Sequence, residues 1–295
     1  FRCVKLWSYG TSSSEGQMGK IGVIGQGYVG SAIKVGFKPY YEVSTYDKFD
    51  LSKSTHSTLN DVVNNSEVIF VCVPTPMNKD GTCHTGIVEE VVKEIAESAH
   101  DKQIVVIKST VPPGTTDRLH RKYRNISVIF NPEFLTEANF IEDFKNQNRI
   151  ILGGTRNGTN IVRQLYSRVF PHATIVKTGA QHAEMVKYFT NCFLATKVSF
   201  ANEMKYICDS IDLDYDKVVE YATYDERLGK SHWAVPGPDG DLGFGGHCLP
   251  KDLSAIINQF ETLGLLEAVE QVNDQVRENR DWESMVGRAV LEEEK

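Results

Sequence analysis

Short, uninterrupted apolar runs recur through the first 180 residues of the chain: IGVIG (21–25), VIFVCVP (68–74), QIVVIKST (103–110), SVIFNPEF (127–134) and RIILGG (149–154). Runs of this length bounded by turn residues are the pattern of strands buried on both faces of a parallel sheet. EVSTYD reads as a further strand ending at Asp47. Between them, SAIKVGF after the turn GQGYVG reads as the first helix, and IVEEVVKEIAESA (87–99) carries its apolar residues at helical spacing. Strands alternating with helices imply right-handed crossovers, so residues 18–179 are expected to form an α/β domain, a Rossmann-type doubly wound parallel sheet.

The pattern changes after residue 179. Residues 183–211 contain no Gly or Pro and show one continuous helical periodicity, and a second helix is expected at 215–222. DERLGKSHWAVPGPDGDLGFGG (225–246) is rich in Gly and Pro and reads as a loop long enough to have a function. Helices are predicted at 251–263 and from 266 to about 293. Residues 180–295 are therefore expected to be an all-α domain with a long central helix. Residues 1–17 lack the continuous apolar segment of a signal peptide. With Met18 read as the start, they are expected to be a leader or a loose tail.

Composition narrows the function classes. A net charge of −7 disfavours nucleic acid as a partner, because phosphate contacts need clustered Lys and Arg. No apolar run reaches the roughly 20 residues of a membrane helix, so no membrane partner is expected. Six cysteines without a C-x-x-C pair suit reduced thiols in the cytoplasm better than a disulfide framework.

Four groups of residues carry candidate chemistry. Gly25, Gly27 and Gly30 form G-x-G-x-x-G between a strand and a helix. The first glycine permits the turn, the second lets backbone approach a pyrophosphate, and the third allows close helix packing. Asp47, 22 residues after Gly25, can accept hydrogen bonds from a ribose diol and would repel a 2′-phosphate, which favours NAD over NADP; Lys48 beside it weakens that preference. Lys187 and Asn191, four apart, share a helical face. From spacing alone a solvated lysine one turn from a capping or core-bonded asparagine is the favoured reading over an oxyanion-stabilising pair, and Lys197 on the same helix has only the plainer reading. Thr110, Glu133 and Glu137 follow strands, where an open α/β sheet binds ligands, so they are candidates for acid–base work or ordinary turn and surface residues. Cys248 in GFGGHCLPKD is either a buried inert thiol or a nucleophile that Lys251 helps to ionise; the HC and CH dipeptides lack the ligand spacing of a zinc site, and no metal is expected.

Together GQGYVG, VCVPTP, KSTVPPGT, NPEFLTEA, AEMVKYFTNCFLATK, DERLG and GFGGHCLPKD resemble the UDP-glucose/GDP-mannose dehydrogenase family in the family's order, over residues 20–288. The resemblance implies oxidation of a sugar C6 alcohol to a carboxylate, with two NAD used in succession. Cys248 would form a thiohemiacetal and then a thioester. Lys187 and Asn191 would stabilise oxyanions, and Glu133, Thr110 and Asp252 would handle the hydrolytic water. Gly25, Gln26, Gly27, Tyr28, Val29, Gly30, Asp47, Val71, Pro74, Thr75, Ser109, Thr110, Glu137 and Lys251 would contact NAD. Glu133, Phe134, Leu135, Thr136, Glu137, Lys187, Asn191, Phe244 and Gly245 would line the site of a nucleotide sugar, with UDP-glucose expected ahead of GDP-mannose or a UDP-N-acetylhexosamine. Arg227 resembles an arginine that reaches across a homodimer interface to the substrate.

Departures from the family pattern bear on substrate identity. Ala138 stands where glycine is usual, GTCHTG lacks an acidic residue, and VPGPDG lengthens the loop before Cys248. Family members also carry a second dinucleotide-like domain after the long helix, and the chain is expected to be a form without it, either naturally short or truncated. A two-electron β-hydroxyacid dehydrogenase and an NAD-binding scaffold without turnover are the alternatives.

Overall fold

The computed structural model describes residues 19–100 and 102–291; the leader at 1–17 and the start at Met18 lie outside the described residues. The chain runs β1 (Lys20–Ile24), α1 (Tyr28–Phe37), β2 (Glu42–Tyr46), α2 (Leu59–Asn64), β3 (Val68–Val71), α3 (Gly86–Ser98), β4 (Gln103–Ile107), α4 (Thr115–Lys122), β5 (Ile126–Phe130), α5 (Phe140–Lys145), β6 (Arg149–Gly153), α6 (Arg156–Val169) and β7 (Thr174–Thr178). The strands form one sheet in the order β2-β1-β3-β4-β5-β6-β7. β3 and β4 are buried along their whole length, as their unbroken apolar sequences require when helices cover both faces. Two apolar cores, one per face, sit between sheet and helices: Val62, Val92, Val105 and Leu119 in one, Ile33, Phe37, Phe70 and Tyr166 in the other.

The sheet departs from the expected all-parallel arrangement at one place. β6 pairs antiparallel to β5 through Phe130 and Gly153, and β7 then runs parallel to β6. Strand direction is invisible in an apolar run buried on both faces, since the pattern reads the same either way. β7 was outside the expected strands because it lies at the sheet edge, largely exposed, and its TIVKT has no buried run.

α7 (Ala180–Ser210) follows, 31 residues and roughly 46 Å long. It packs on β5, β6 and α4 with one end and on α8 (Tyr215–Ala222), α9 (Leu249–Gln259) and α10 (Leu265–Val276) with the rest. Glu184 ties it to the sheet, its carboxylate accepting from the N–H of Gly114 (2.6 Å) and of Thr116 (2.8 Å) at the start of α4, where free backbone donors need an acceptor. The last helix is much shorter than expected. It ends at Val276 because Arg277 pulls the chain aside, donating to the Asn279 carbonyl (2.8 Å) and pairing with Asp281 (3.2 Å). The chain then returns to the sheet, where Met77 exchanges hydrogen bonds with Ala289 and Leu291.

Candidate active site

β1 and β3 are neighbours whose following connections leave in opposite directions, which opens a crevice at their carboxyl ends. The glycine turn lines it. Gly25 has φ +89° and packs on the Cys72 carbonyl, where a Cβ would come within 2.6 Å. A Cβ on Gly30 would meet the Gly25 carbonyl, so α1 can approach the turn only with glycine there. A Cβ on Gly27 would meet nothing within 4 Å, and that residue faces open space. Asp47 at the end of β2 accepts from the Gln26 N–H at 2.7 Å. This cradle, an open glycine at a helix N-terminus with a carboxylate beside it, fits a dinucleotide pyrophosphate and ribose. Gly27→Ala should leave the melting temperature within about 2 °C and weaken NAD binding at least about tenfold, read by calorimetry. Equal affinity would place the pyrophosphate elsewhere.

Of the remaining residues expected to contact NAD, Thr75, Ser109 and Thr110 are buried at the ends of β3 and β4, and Pro74 is exposed at the crevice. Val29 is half-buried on α1. One assignment is corrected. Val71 is fully buried inside β3, in the core. Gln26 folds its side chain back onto the Gly25 carbonyl (3.0 Å), so only its backbone faces the turn. Glu137, at the mouth of the site, is paired with the Arg288 guanidinium and lies 3.2 Å from His247 Nδ1.

Cys248 starts α9, and the preceding turn is suspended from buried polar side chains. Asn202 of α7 accepts from the Gly243 N–H (3.1 Å), Asn273 of α10 accepts from the Phe244 N–H (2.7 Å) and donates to its carbonyl (3.0 Å), and Asp281 accepts from the Gly246 N–H (3.1 Å). A Cβ on Gly245 would strike the Arg277 guanidinium at 2.1 Å. Phe244 is therefore corrected from a substrate contact to support, whereas Gly245 stays half-exposed. The Phe244 ring fills a core with Cys192, Leu253 and Val269, and Gly245 is small because Arg277 packs on it.

Around the thiol the structure brings together residues from α1, α7, α9 and the turn after β5. Lys187 donates to the Glu133 carboxylate (2.9 Å) and to the Glu133 carbonyl (2.8 Å), with all three groups buried. Asn191 donates to Asp252 at 2.6 Å, and Lys251 holds the other Asp252 oxygen. Tyr28 of the glycine turn reaches across so that its hydroxyl lies 3.6 Å from Cys248 Sγ. Phe134 is half-buried beneath Arg149 and Lys187, Leu135 donates its N–H to Glu133 (2.7 Å), and Thr136 is exposed and bonded to Asp143. Arg227 is not brought in. It is exposed and paired with Asp225 at the turn after α8. Lys197 is buried, donating to the Leu228 carbonyl (3.0 Å) beneath Trp233, and so anchors that loop.

Electrostatics revise one expectation. Burial raises the Cys248 thiol above its ordinary pKa, and the opposing pull of Lys187 and Lys251 does not overcome it. Lys251 is occupied by Asp252, so it does not by itself hold a thiolate at neutral pH. Burial lowers Lys187, but Glu133, Cys248 and Asp252 outweigh that and leave it raised, hence charged. Behind the site, burial brings Lys108 down to about 8, where it donates to Asn131 (3.0 Å). Sequence reasoning missed His247, which was weighed only as half of a dipeptide, and the reach of Tyr28 to the thiol. Among the described residues, no cluster of His, Cys, Asp and Glu could hold a metal ion, and no helix is long and apolar enough to cross a membrane.

The fold and the site define a dinucleotide-binding protein of dehydrogenase architecture with a cysteine set beside the cofactor turn. Residues 39–170 match the NAD binding domain, and residues 181–275 the central domain, of the UDP-glucose/GDP-mannose dehydrogenase family. The chain belongs to that family. A UDP-glucose 6-dehydrogenase of Bacillus subtilis is 31% identical over 300 residues, covering 88% of this chain and 64% of that protein; one of Pseudomonas aeruginosa is 34% identical, covering 82% and 56%. The chain thus spans less than two thirds of these curated relatives. The structure of a UDP-glucose dehydrogenase from Pyrobaculum islandicum superposes with a TM-score of 0.79 at 30% identity, covering 90% of this chain and 70% of that one.

Proposed function

We propose that this chain catalyses the NAD-dependent four-electron oxidation of the C6 hydroxyl of a nucleotide sugar to a carboxylate, with UDP-glucose as the first substrate. The contact of Tyr28, from the glycine turn, with Cys248 carries the reading, because it sets a thiol beside the dinucleotide cradle. Bound in that cradle, NAD supplies the hydride acceptor for both oxidations. Lys187, kept charged by Glu133, and Asn191, fixed by Asp252, stabilise negative charge on the substrate oxygen. Cys248 adds to the aldehyde as a thiohemiacetal, since a tetrahedral carbon is what can give up the second hydride, and the resulting thioester is hydrolysed. Glu133, Asp252 and Thr110 surround the water that completes hydrolysis.

Met185, Phe189, Phe193, Phe200, Ile207 and Ile211 stay exposed along α7, too much apolar surface for a free helix, and support a homodimer in which Arg227 would face the partner's substrate. Free thiols at Cys72, Cys83, Cys192, Cys208 and Cys248 support a reducing, cytoplasmic setting. The test is NADH released per sugar, scored over UDP-glucose, GDP-mannose and UDP-N-acetylhexosamines. About two NADH per UDP-glucose is expected. One per sugar would favour a two-electron dehydrogenase, and NAD binding without turnover a scaffold.

A further inference from the structure

We propose that His247 accepts the proton that Cys248 loses on becoming a nucleophile, with Tyr28 relaying it. The inference deepens the proposed function, since that reading needs a thiolate and the lysines nearest Cys248 among the described residues are already paired, Lys187 with Glu133 and Lys251 with Asp252.

Four groups stand in line. Cys248 Sγ lies 3.6 Å from the Tyr28 hydroxyl, that hydroxyl 3.3 Å from His247 Nε2, and His247 Nδ1 3.2 Å from a Glu137 oxygen. The other Glu137 oxygen is held by Arg288. The directions of the hydrogen bonds follow from chemistry. A carboxylate only accepts, so Nδ1 carries the imidazole hydrogen, and the neutral ring then leaves Nε2 as an acceptor. Tyr28 must donate to Nε2, which turns its lone pairs toward the thiol, and the S–H donates to it. Every donor in the line points the same way, from sulfur through tyrosine and histidine to Glu137. Edge-on packing of the Tyr28 ring against His247 (5.4 Å) and against Phe140 (6.2 Å) keeps the phenol in place.

The protonation states agree with this. Burial pushes His247 below its ordinary range; Glu137 and Glu133 raise it, Arg288 and Lys251 lower it, and the ring remains neutral at pH 7. Burial also keeps Tyr28 protonated. In the transfer the S–H bond breaks as a bond forms between that proton and the Tyr28 oxygen, and the original tyrosine O–H proton moves to Nε2. The sulfur electron pair forms the C–S bond to the aldehyde carbon, and the carbonyl π pair passes to its oxygen, facing Lys187. The new imidazolium is held by Glu137. No electrons are gained or lost, so this step needs no oxidant.

The experiment is the rate at which iodoacetamide alkylates Cys248 in the full chain from pH 6 to 10, read by peptide mass spectrometry. His247→Gln should slow alkylation about tenfold near pH 7.5 and move the rising limb up by about one pH unit. Tyr28→Phe should do the same, and the double variant should be no slower than either single one, because both cut one line. NAD affinity of His247→Gln should stay within about twofold. A His247→Gln profile that overlays the unaltered protein's, or singles whose losses multiply, would overturn the relay. If no nucleotide sugar is oxidised, the proposed function fails, while the difference between alkylation profiles still decides the relay.

Discussion

Replacing Cys248 by serine should cut carboxylate formation by at least about 1,000-fold, roughly 4 kcal/mol of barrier, and leave NAD affinity within about threefold. The turn that presents the residue is held by Asn202, Asn273 and Asp281 through its backbone, so the exchange leaves the scaffold in place. What it removes is an acidic, polarisable nucleophile. Burial already raises the thiol, and a serine hydroxyl in the same surroundings would be far harder to ionise. NADH release at full rate in the serine variant would sink the covalent mechanism; calorimetry with NAD separates lost chemistry from lost binding.

Lys187→Met should destabilise the protein by about 3–5 kcal/mol, because it strands the Glu133 carboxylate in a buried setting. Lysine and glutamate side chains are 5% and 6% exposed, so solvent would do little to compensate. Glu133 would keep only the Leu135 N–H on its other oxygen. The double variant Lys187→Met with Glu133→Gln should recover most of the lost stability in urea unfolding, since a neutral amide tolerates the site. Activity should stay lost in both, because the charge facing the substrate oxygen is gone. A single variant as stable as the parent would mean that the pair is wetter than its burial implies.

Much of the fold was legible because its signals are local. VIFV and the IVVI of β4 are apolar without interruption and became central strands, and a stretch without Gly or Pro became the long helix α7. What misled was also local. The sequence 266–293 has helical spacing throughout, yet Arg277 ends the helix by bonding to residues beyond it and in a distant loop, where Asp239 lies 2.7 Å away. The three glycines of GFGG look alike in sequence, but Gly243 (φ +67°) and Gly245 are small because Asn273 and Arg277 press on them, whereas Gly246 (φ +71°) faces open space and needs glycine for its backbone alone.

The sequence by itself determined the dinucleotide cradle, since a glycine turn between a strand and a helix is a short-range arrangement that spacing alone specifies. It also determined which side chains could do chemistry. Only the tertiary structure decided which of them meet. Tyr28 and Cys248 stand 220 positions apart and touch because β1 and α9 converge at one end of the sheet. Tertiary packing likewise brings Asn191 to Asp252 and His247 to the phenol, and by burying the thiol it keeps it protonated at rest. Ionisation depends on burial and on charges brought in from other elements, and a linear pattern carries neither.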